Sequence, residues 1–248
     1  GVVTIAGEIV DGDAGPGVAG GTRIADLLDD ALDDDLAALV VRVDSPGGSV
    51  TASEEIRRAI QRHLDRKIPV VVSFANIAAS GGYWVSMSSD RIFTQPETIT
   101  GSIGVFAVVP TFEQSAARIG VTADGFRTTP LSGQPDFIAG FTPEMDAILQ
   151  SSIAGTYTDF LSLVSKARKM PVDKVDAMAG GRVWDGGTAR QLGLADEFGG
   201  LQEALTWAAT KAGAKDGDWH PVFLGGQADN YDSLIRQLVT SNTVRAPV

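Results

Sequence analysis

The stretch Leu36-Ala37-Ala38-Leu39-Val40-Val41-Arg42-Val43-Asp44-Ser45-Pro46-Gly47-Gly48-Ser49 decides the fold of this 248-residue chain. Leu36 to Val43 is an apolar run of strand length, the pattern of a strand buried on both faces. Asp44 to Ser49 supplies turn residues, and Ser53 to Leu64 reads as a helix. The unit then repeats. Pro69 to Phe74 is a buried strand, Ala75 to Gly82 a turn, Gly81 to Ser88 a helix and Arg91 to Thr94 a short strand. Strand, turn and helix in this order imply an α/β fold with a parallel sheet and right-handed crossovers.

Outward from this centre, Val2 to Val10 reads as a strand and Asp11 to Gly21 as a glycine-rich loop. Thr22 is positioned to cap a helix from Arg23 to Leu32. Downstream, Thr142 caps a long helix from Pro143 to Arg168, with Glu144 in its first turn. Further helices are expected over Val172 to Ala179, Thr188 to Leu192 (closed by Gly193), Leu201 to Ala212 and Tyr231 to Thr240. The change in character after Lys215 divides the chain into a core, 1–215, and a tail, 216–248. The opening Gly1-Val2-Val3-Thr4-Ile5 reads as a strand already under way, so residues upstream are expected to have been removed.

Composition narrows the function. A net charge of −11 argues against nucleic acid as a partner and against adhesion to an anionic membrane surface. No apolar stretch approaches the length of a membrane span. The chain has no cysteine and only two histidines, His63 and His220, so neither a thiol nucleophile nor a metal centre is expected, and no cofactor is called for. The acidic run Asp29 to Asp35 reads as a solvated helix end.

In parallel sheets, chemistry gathers at the carboxyl ends of the strands. Two turns lie there. One holds Gly47 and Gly48; the other holds Ser80 in Ala78-Ala79-Ser80-Gly81-Gly82-Tyr83-Trp84. Ser80 is placed as a nucleophile, and the Gly47 and Gly81 amides could hold the oxyanion of an attacked carbonyl. Both turns also read as plain strand-to-helix connections, and residue pattern alone leaves the two readings open. A serine hydroxyl needs a base to take its proton. His63, at the exposed end of a helix, and His220, in the polar tail, read as solvated or incidental residues rather than members of a triad.

These residues carry a resemblance. Asp44 to Val50, Ala78 to Trp84, Thr100-Gly101-Ser102-Ile103-Gly104-Val105, and Gly181-Arg182-Val183-Trp184 with Gly193-Leu194-Ala195-Asp196 resemble the signature blocks of the signal peptide peptidase A (protease IV) family, in order, over residues 1 to about 212. The resemblance implies the curled α/β fold shared by Clp protease and crotonase enzymes. It also implies a Ser–Lys peptidase that cleaves short apolar peptides such as spent signal peptides. By the same resemblance, Ser80 is the nucleophile, Gly81 and Gly47 are the oxyanion donors, and Ser102 is the hydroxyl that orients the lysine. It further implies a homo-oligomer at the bacterial inner membrane, its site facing the periplasm and its anchor in a segment absent here.

One departure stands out. Where the family carries its lysine, upstream of the helix start Phe141-Thr142-Pro143-Glu144, this chain reads Thr128-Thr129-Pro130-Leu131-Ser132, with Ser132 in the lysine's place. Lys67, Lys166, Lys169, Lys174, Lys211 and Lys215 all read as solvated surface lysines, and Arg127 stays protonated. The chain therefore resembles the serine-bearing C-terminal half of the family's long tandem form, its lysine supplied by an N-terminal half or a neighbouring subunit. Alternatives are a catalytically incomplete assembly or peptide-binding half, a phage-type capsid maturation protease of the same fold, and a crotonase-like acyl-CoA enzyme, for which Glu97 is the nearby carboxylate.

Overall fold

A computed structural model describes residues 1–15, 17–215 and 217–225. In chain order the elements are β1 (Val2–Ala6), β2 (Ile9–Val10), β3 (Ala19–Gly20), α1 (Gly21–Asp30), β4 (Leu39–Ser45), α2 (Val50–Asp65), β5 (Val70–Ala79), α3 (Gly81–Val85), β6 (Arg91–Thr94) and β7 (Ile99–Gly101). They are followed by α4 (Glu113–Arg118), α5 (Pro143–Arg168), α6 (Val172–Met178), β8 (Val183–Asp185), α7 (Gly186–Leu192), β9 (Glu197–Phe198) and α8 (Leu201–Lys211).

The main sheet runs β1-β4-β5-β6-β9, all parallel. Strand β5 is long enough to serve two partners. Its first half pairs β6 through Val71 to Ser73, and its second half pairs β7 through Ile77 to Ala79. β7 in turn pairs β8 antiparallel. The sheet thus forks along β5, and Ser80 follows directly on the fork.

Alternation along the strands sends side chains to two cores. Val41, Val43, Val72 and Phe74 pack with Ile24, Leu28, Ile56, Ile60 and Phe160 of the helices on one face. Val2, Val40, Val71 and Phe93 pack against Ala204 and Ala208 of α8 on the other. This is the α/β, mostly parallel, helix-flanked architecture expected of a Clp protease-like fold. Just past the expected boundary at residue 216, Val2 exchanges backbone hydrogen bonds with Val222 and Leu224, so the chain returns to the edge of β1. The helix expected over Tyr231 to Thr240 lies outside the described residues.

Several local expectations are corrected. The single strand expected over Val2 to Val10 is two, because Gly7 takes a left-handed φ of 83° and breaks it. Thr22 caps nothing. α1 starts at Gly21, whose Cβ would sit 2.6 Å from that of Ala52, so the two helices meet at small residues. The strand expected over Leu36 to Val43 is displaced to Leu39–Ser45, and that over Pro69 to Phe74 extends to Ala79. The helix after Ser80 stops at Val85, where Ser86 and Met87 donate to carbonyls three residues back. α5 has the expected bounds, and Met145 donates its amide to the Thr142 hydroxyl at 3.3 Å.

His63 is the main correction outside the site. It is fully buried, not solvated, because it continues the inward face of α2 through Ile56, Ala59 and Ile60. Its Nδ1 meets the Ala59 carbonyl at 3.2 Å, while Nε2 has no partner among the described residues. Burial pushes its pKa below the ordinary histidine value, against the opposing pull of the Ala59 carbonyl. The folded state therefore refuses a proton that the unfolded chain accepts from about pH 6.5 downward, so stability is full above that pH and falls on acidification. We predict that the urea midpoint declines between about pH 7 and 5.5, and that His63→Leu flattens this decline. An unchanged slope in the variant would assign the acid sensitivity elsewhere.

Candidate active site

The β4 and β5 turns meet at the carboxyl edge of the sheet. Their register is set by a bulge: Val43 pairs Phe74, but the next pair is Ser45 with Ala78. Asp44 stabilises the bulge by accepting from the Ile77 amide at 3.2 Å and from the Asn76 side chain at 3.3 Å. The result brings the Pro-Gly-Gly turn level with Ser80. A Cβ on Gly47 would lie 2.6 Å from the Gly81 nitrogen and 2.7 Å from the Ser80 Cβ. One on Gly82 would lie 2.7 Å from the Ser45 carbonyl oxygen. Backbone contact this close is open only to glycine.

Ser80 itself has φ 52° and ψ −117°, a region that costs a non-glycine residue of order 1–3 kcal/mol. The surroundings hold it there. The Ser80 amide donates to the Gly101 carbonyl at 2.9 Å, and its carbonyl accepts from the Trp84 amide at 2.8 Å. The Trp84 indole donates to Glu54 of α2 at 2.8 Å, and its ring packs on Phe160 at 4.7 Å between centroids. Burial alone would raise the Glu54 pKa, but hydrogen bonds from Arg57, Arg58 and Trp84 outweigh it and hold the carboxyl at about 2, so this clamp stays charged. α3 is a single short helix, so its amides rather than a helix dipole are what the site offers an anion.

The sequence-predicted residues come together only in part. Ser80 and Ser102 line one cavity of about 600 Å³. Ser102 has φ 49° and is fixed by its amide donating to the Arg182 carbonyl at 2.7 Å. The Gly81 nitrogen opens α3 and therefore has no acceptor within that helix. The Gly47 turn has partners of its own. Its amide donates to the Ser45 hydroxyl at 3.1 Å, whereas the Gly48 amide has no acceptor among the described residues. Strand β2 braces the turn, with the Ile9 amide donating to the Gly47 carbonyl and the Ser49 amide to the Ile9 carbonyl, each at 2.8 Å. Gly47 thus supplies the close approach, and the amide without an acceptor is one residue on.

Among the described residues, no carboxylate, histidine or lysine lines the Ser80 cavity. All six lysines are exposed. His63 bonds Ile68 through its carbonyl, at the opposite end of β5 from Ser80, a strand length of roughly 30 Å away. Ser132 bonds Thr129 at 2.9 Å in a separate surface cavity, and Arg127 pairs with Asp136 at 3.0 Å. Glu97 is exposed and outside the cavity lining. Sequence reading missed the far wall, which is formed by Gln150, Ile153, Ala154 and Tyr157 of α5 and by Gly180 and Gly181. Its signal was the helical spacing of those four residues on one face of α5.

The chain matches the family model described as Peptidase family S49 over residues 62–215. It is 42% identical to Protease 4 of Salmonella typhi over 247 residues, covering 99% of this chain and 40% of that protein. It is 45% identical to Protease 4 of Haemophilus influenzae over 208 residues, covering 84% of this chain and 34% of that protein. It is 35% identical to the chloroplastic serine protease SPPA of Arabidopsis thaliana over 178 residues, covering 71% and 26% respectively. The chain thus spans well under half the length of these relatives, and the match to the Salmonella typhi protein takes in the glycine turns, Ser80 and Ser102. It belongs to peptidase family S49.

Proposed function

We propose that this chain is the serine-bearing part of a Ser–Lys peptidase that cleaves short apolar peptides such as spent signal peptides. The observation that carries the reading is Ser80, held in a strained turn against two glycines, in a cavity with no base of its own. Ser80 Oγ attacks the peptide carbonyl as a neutral lysine amine takes its proton. The Gly81 and Gly48 amides donate to the oxyanion. The lysine then protonates the leaving amine, and a water, deprotonated by the same lysine, releases the acyl group from Ser80. Ser102 orients the lysine from the cavity wall.

The lysine comes from an N-terminal half or a neighbouring subunit. Two features favour an external donor. The lysines of this chain are all exposed, and a base amine must be buried to be neutral near pH 7. The segment between β7 and α5 also exposes Phe106, Val108, Ile119 and Phe126, each by more than 75%, which is the surface a partner covers. The reading places the site at the periplasmic face of the bacterial inner membrane; among the described residues no helix is long and apolar enough to cross a membrane.

Hydrolysis of a fluorogenic apolar peptide tests the reading. The chain joined to its upstream sequence is expected to cleave, the chain alone to be silent, and Ser80→Ala in the longer protein to lose on the order of 10⁶ in kcat. Full activity of the chain alone that survives Ser80→Ala would sink the proposal. Silence of the longer protein as well would favour a peptide-binding half. Gly47→Ala should lower kcat by about 10²–10³ with little change in KM, because its Cβ drives the Gly81 amide away from the oxyanion. A near-normal kcat would show that the close approach is dispensable.

A further inference from the structure

We propose that Asp176 is a positioning residue of the site: through the Tyr157 phenol it fixes the Gly180-Gly181 wall of the Ser80 cavity, and that wall holds Ser102 where it meets the base lysine. The proposal rests on the peptidase reading, which gives Ser102 its task, and adds a residue that lies outside the cavity lining.

Ser102 depends on the segment beside it. Its φ of 49° is a left-handed value that serine keeps only where its surroundings hold it. The hold is a short ladder. The Ser102 amide donates to the Arg182 carbonyl at 2.7 Å, and the Gly181 amide donates to the Ile103 carbonyl at 2.9 Å. Packing across the ladder is close, since a Cβ on Gly104 would lie 2.8 Å from the Gly181 Cα. The other side of the ladder has less to fix it. Gly180 and Gly181 take successive left-handed φ values of 68° and 75°, and a Cβ on either would meet nothing within 4 Å. Two glycines in open space leave the backbone free to take other conformations.

The latch is the bond from Tyr157 to Asp176. Tyr157 stands on α5 and lines the cavity with Ser80 and Ser102, whereas Asp176 stands in the last turn of α6, shortly before Gly180. The phenol donates to the Asp176 carboxylate at 2.6 Å, the length of a charge-assisted hydrogen bond. Burial first, and then the carboxylate beside it, raise the Tyr157 pKa against the opposing Gly180 amide and Arg182, so the phenol keeps the proton it donates. α6 buries Val175 and Met178 and leaves Asp176 on its exposed side, where α5 can reach it. The end of α6 is also tied to the ladder. The Arg182 guanidinium donates to the Ala177 carbonyl, and the Trp184 indole donates to the Met178 carbonyl at 3.1 Å. A shift of this helix end is therefore passed to Arg182, and from its carbonyl to Ser102.

Two measurements on the longer protein test this. Hydrogen–deuterium exchange needs no turnover: Tyr157→Phe and Asp176→Ala should each speed exchange of the Ser102 and Gly181 amides by about tenfold and leave β4 and β5 unchanged. In peptide hydrolysis each variant should lower kcat by about 10- to 10²-fold, with KM within about twofold. The double variant should be no slower than either single one, because the two residues act through one bond. Asp176→Asn keeps an oxygen that accepts from the phenol and should retain at least about half of kcat. Unchanged exchange in both variants overturns the latch. Faster exchange with kcat unchanged, a rise in KM alone, or a lower unfolding midpoint alone would make the pair a structural staple and overturn the positioning role. Silence of the unsubstituted longer protein would overturn the peptidase reading, while the exchange result still decides the latch.

Discussion

The close approach of two backbone turns is the constraint on which the rest of this structure depends. Gly47 lies against Ser80 and Gly81 with no room for a Cβ between them. Two parallel strands can deliver turns to the same spot only if their ends are level, and the bulge in β5 makes them so. Asp44 serves that bulge by accepting from the backbone that it exposes. Pro46 and the glycines then let β4 turn beneath the start of α3. The Ser80 conformation, unfavourable by itself, follows from this crowding and is held by the hydrogen bonds at its amide and carbonyl.

The supports around that contact come from distant parts of the chain. Glu54 reaches Trp84 from α2, and Phe160 meets the same indole from α5. β7 contributes the Gly101 carbonyl to Ser80, and the antiparallel pairing with β8 aligns Ser102 with the Arg182 carbonyl. Ser80 is thereby gripped on three sides and open on the fourth. On the open side the chain changes character. The segment after β7 and the first half of α5 expose large apolar side chains that no described part of the chain covers. A structure tight around its serine and unfinished beyond it is consistent with a site completed by other polypeptide.

Much of this was legible along the chain. The buried strands announced themselves as apolar runs, and the α5 start as Thr142-Pro143-Glu144, because burial on both faces and N-terminal capping leave local signatures. The Ser80 and Gly47 turns were visible for the same reason, since glycine clusters mark backbone that approaches something closely. Short elements were not visible. β7, β8 and β9 have two or three residues each and exist only because β5, β7 and β6 respectively present free edges to them. Thr22 looked like a cap from sequence, but packing of Gly21 on Ala52 started the helix earlier. His63 looked solvated beside Arg62 and Asp65, although its spacing from Ile56 and Ile60 already placed it on the buried face.

The sequence by itself determined the α/β class, the glycine turn that holds Ser80, the family blocks and the absence of any buried lysine candidate. Each is a property of residue type and local spacing. Only the tertiary structure decided that the Ser45 hydroxyl takes the Gly47 amide while the Gly48 amide has no acceptor among the described residues. It likewise decided that α5, about seventy residues after Ser80, forms the far wall of its cavity. Contacts between residues so far apart are fixed by sheet register and helix packing, which no local stretch of sequence encodes.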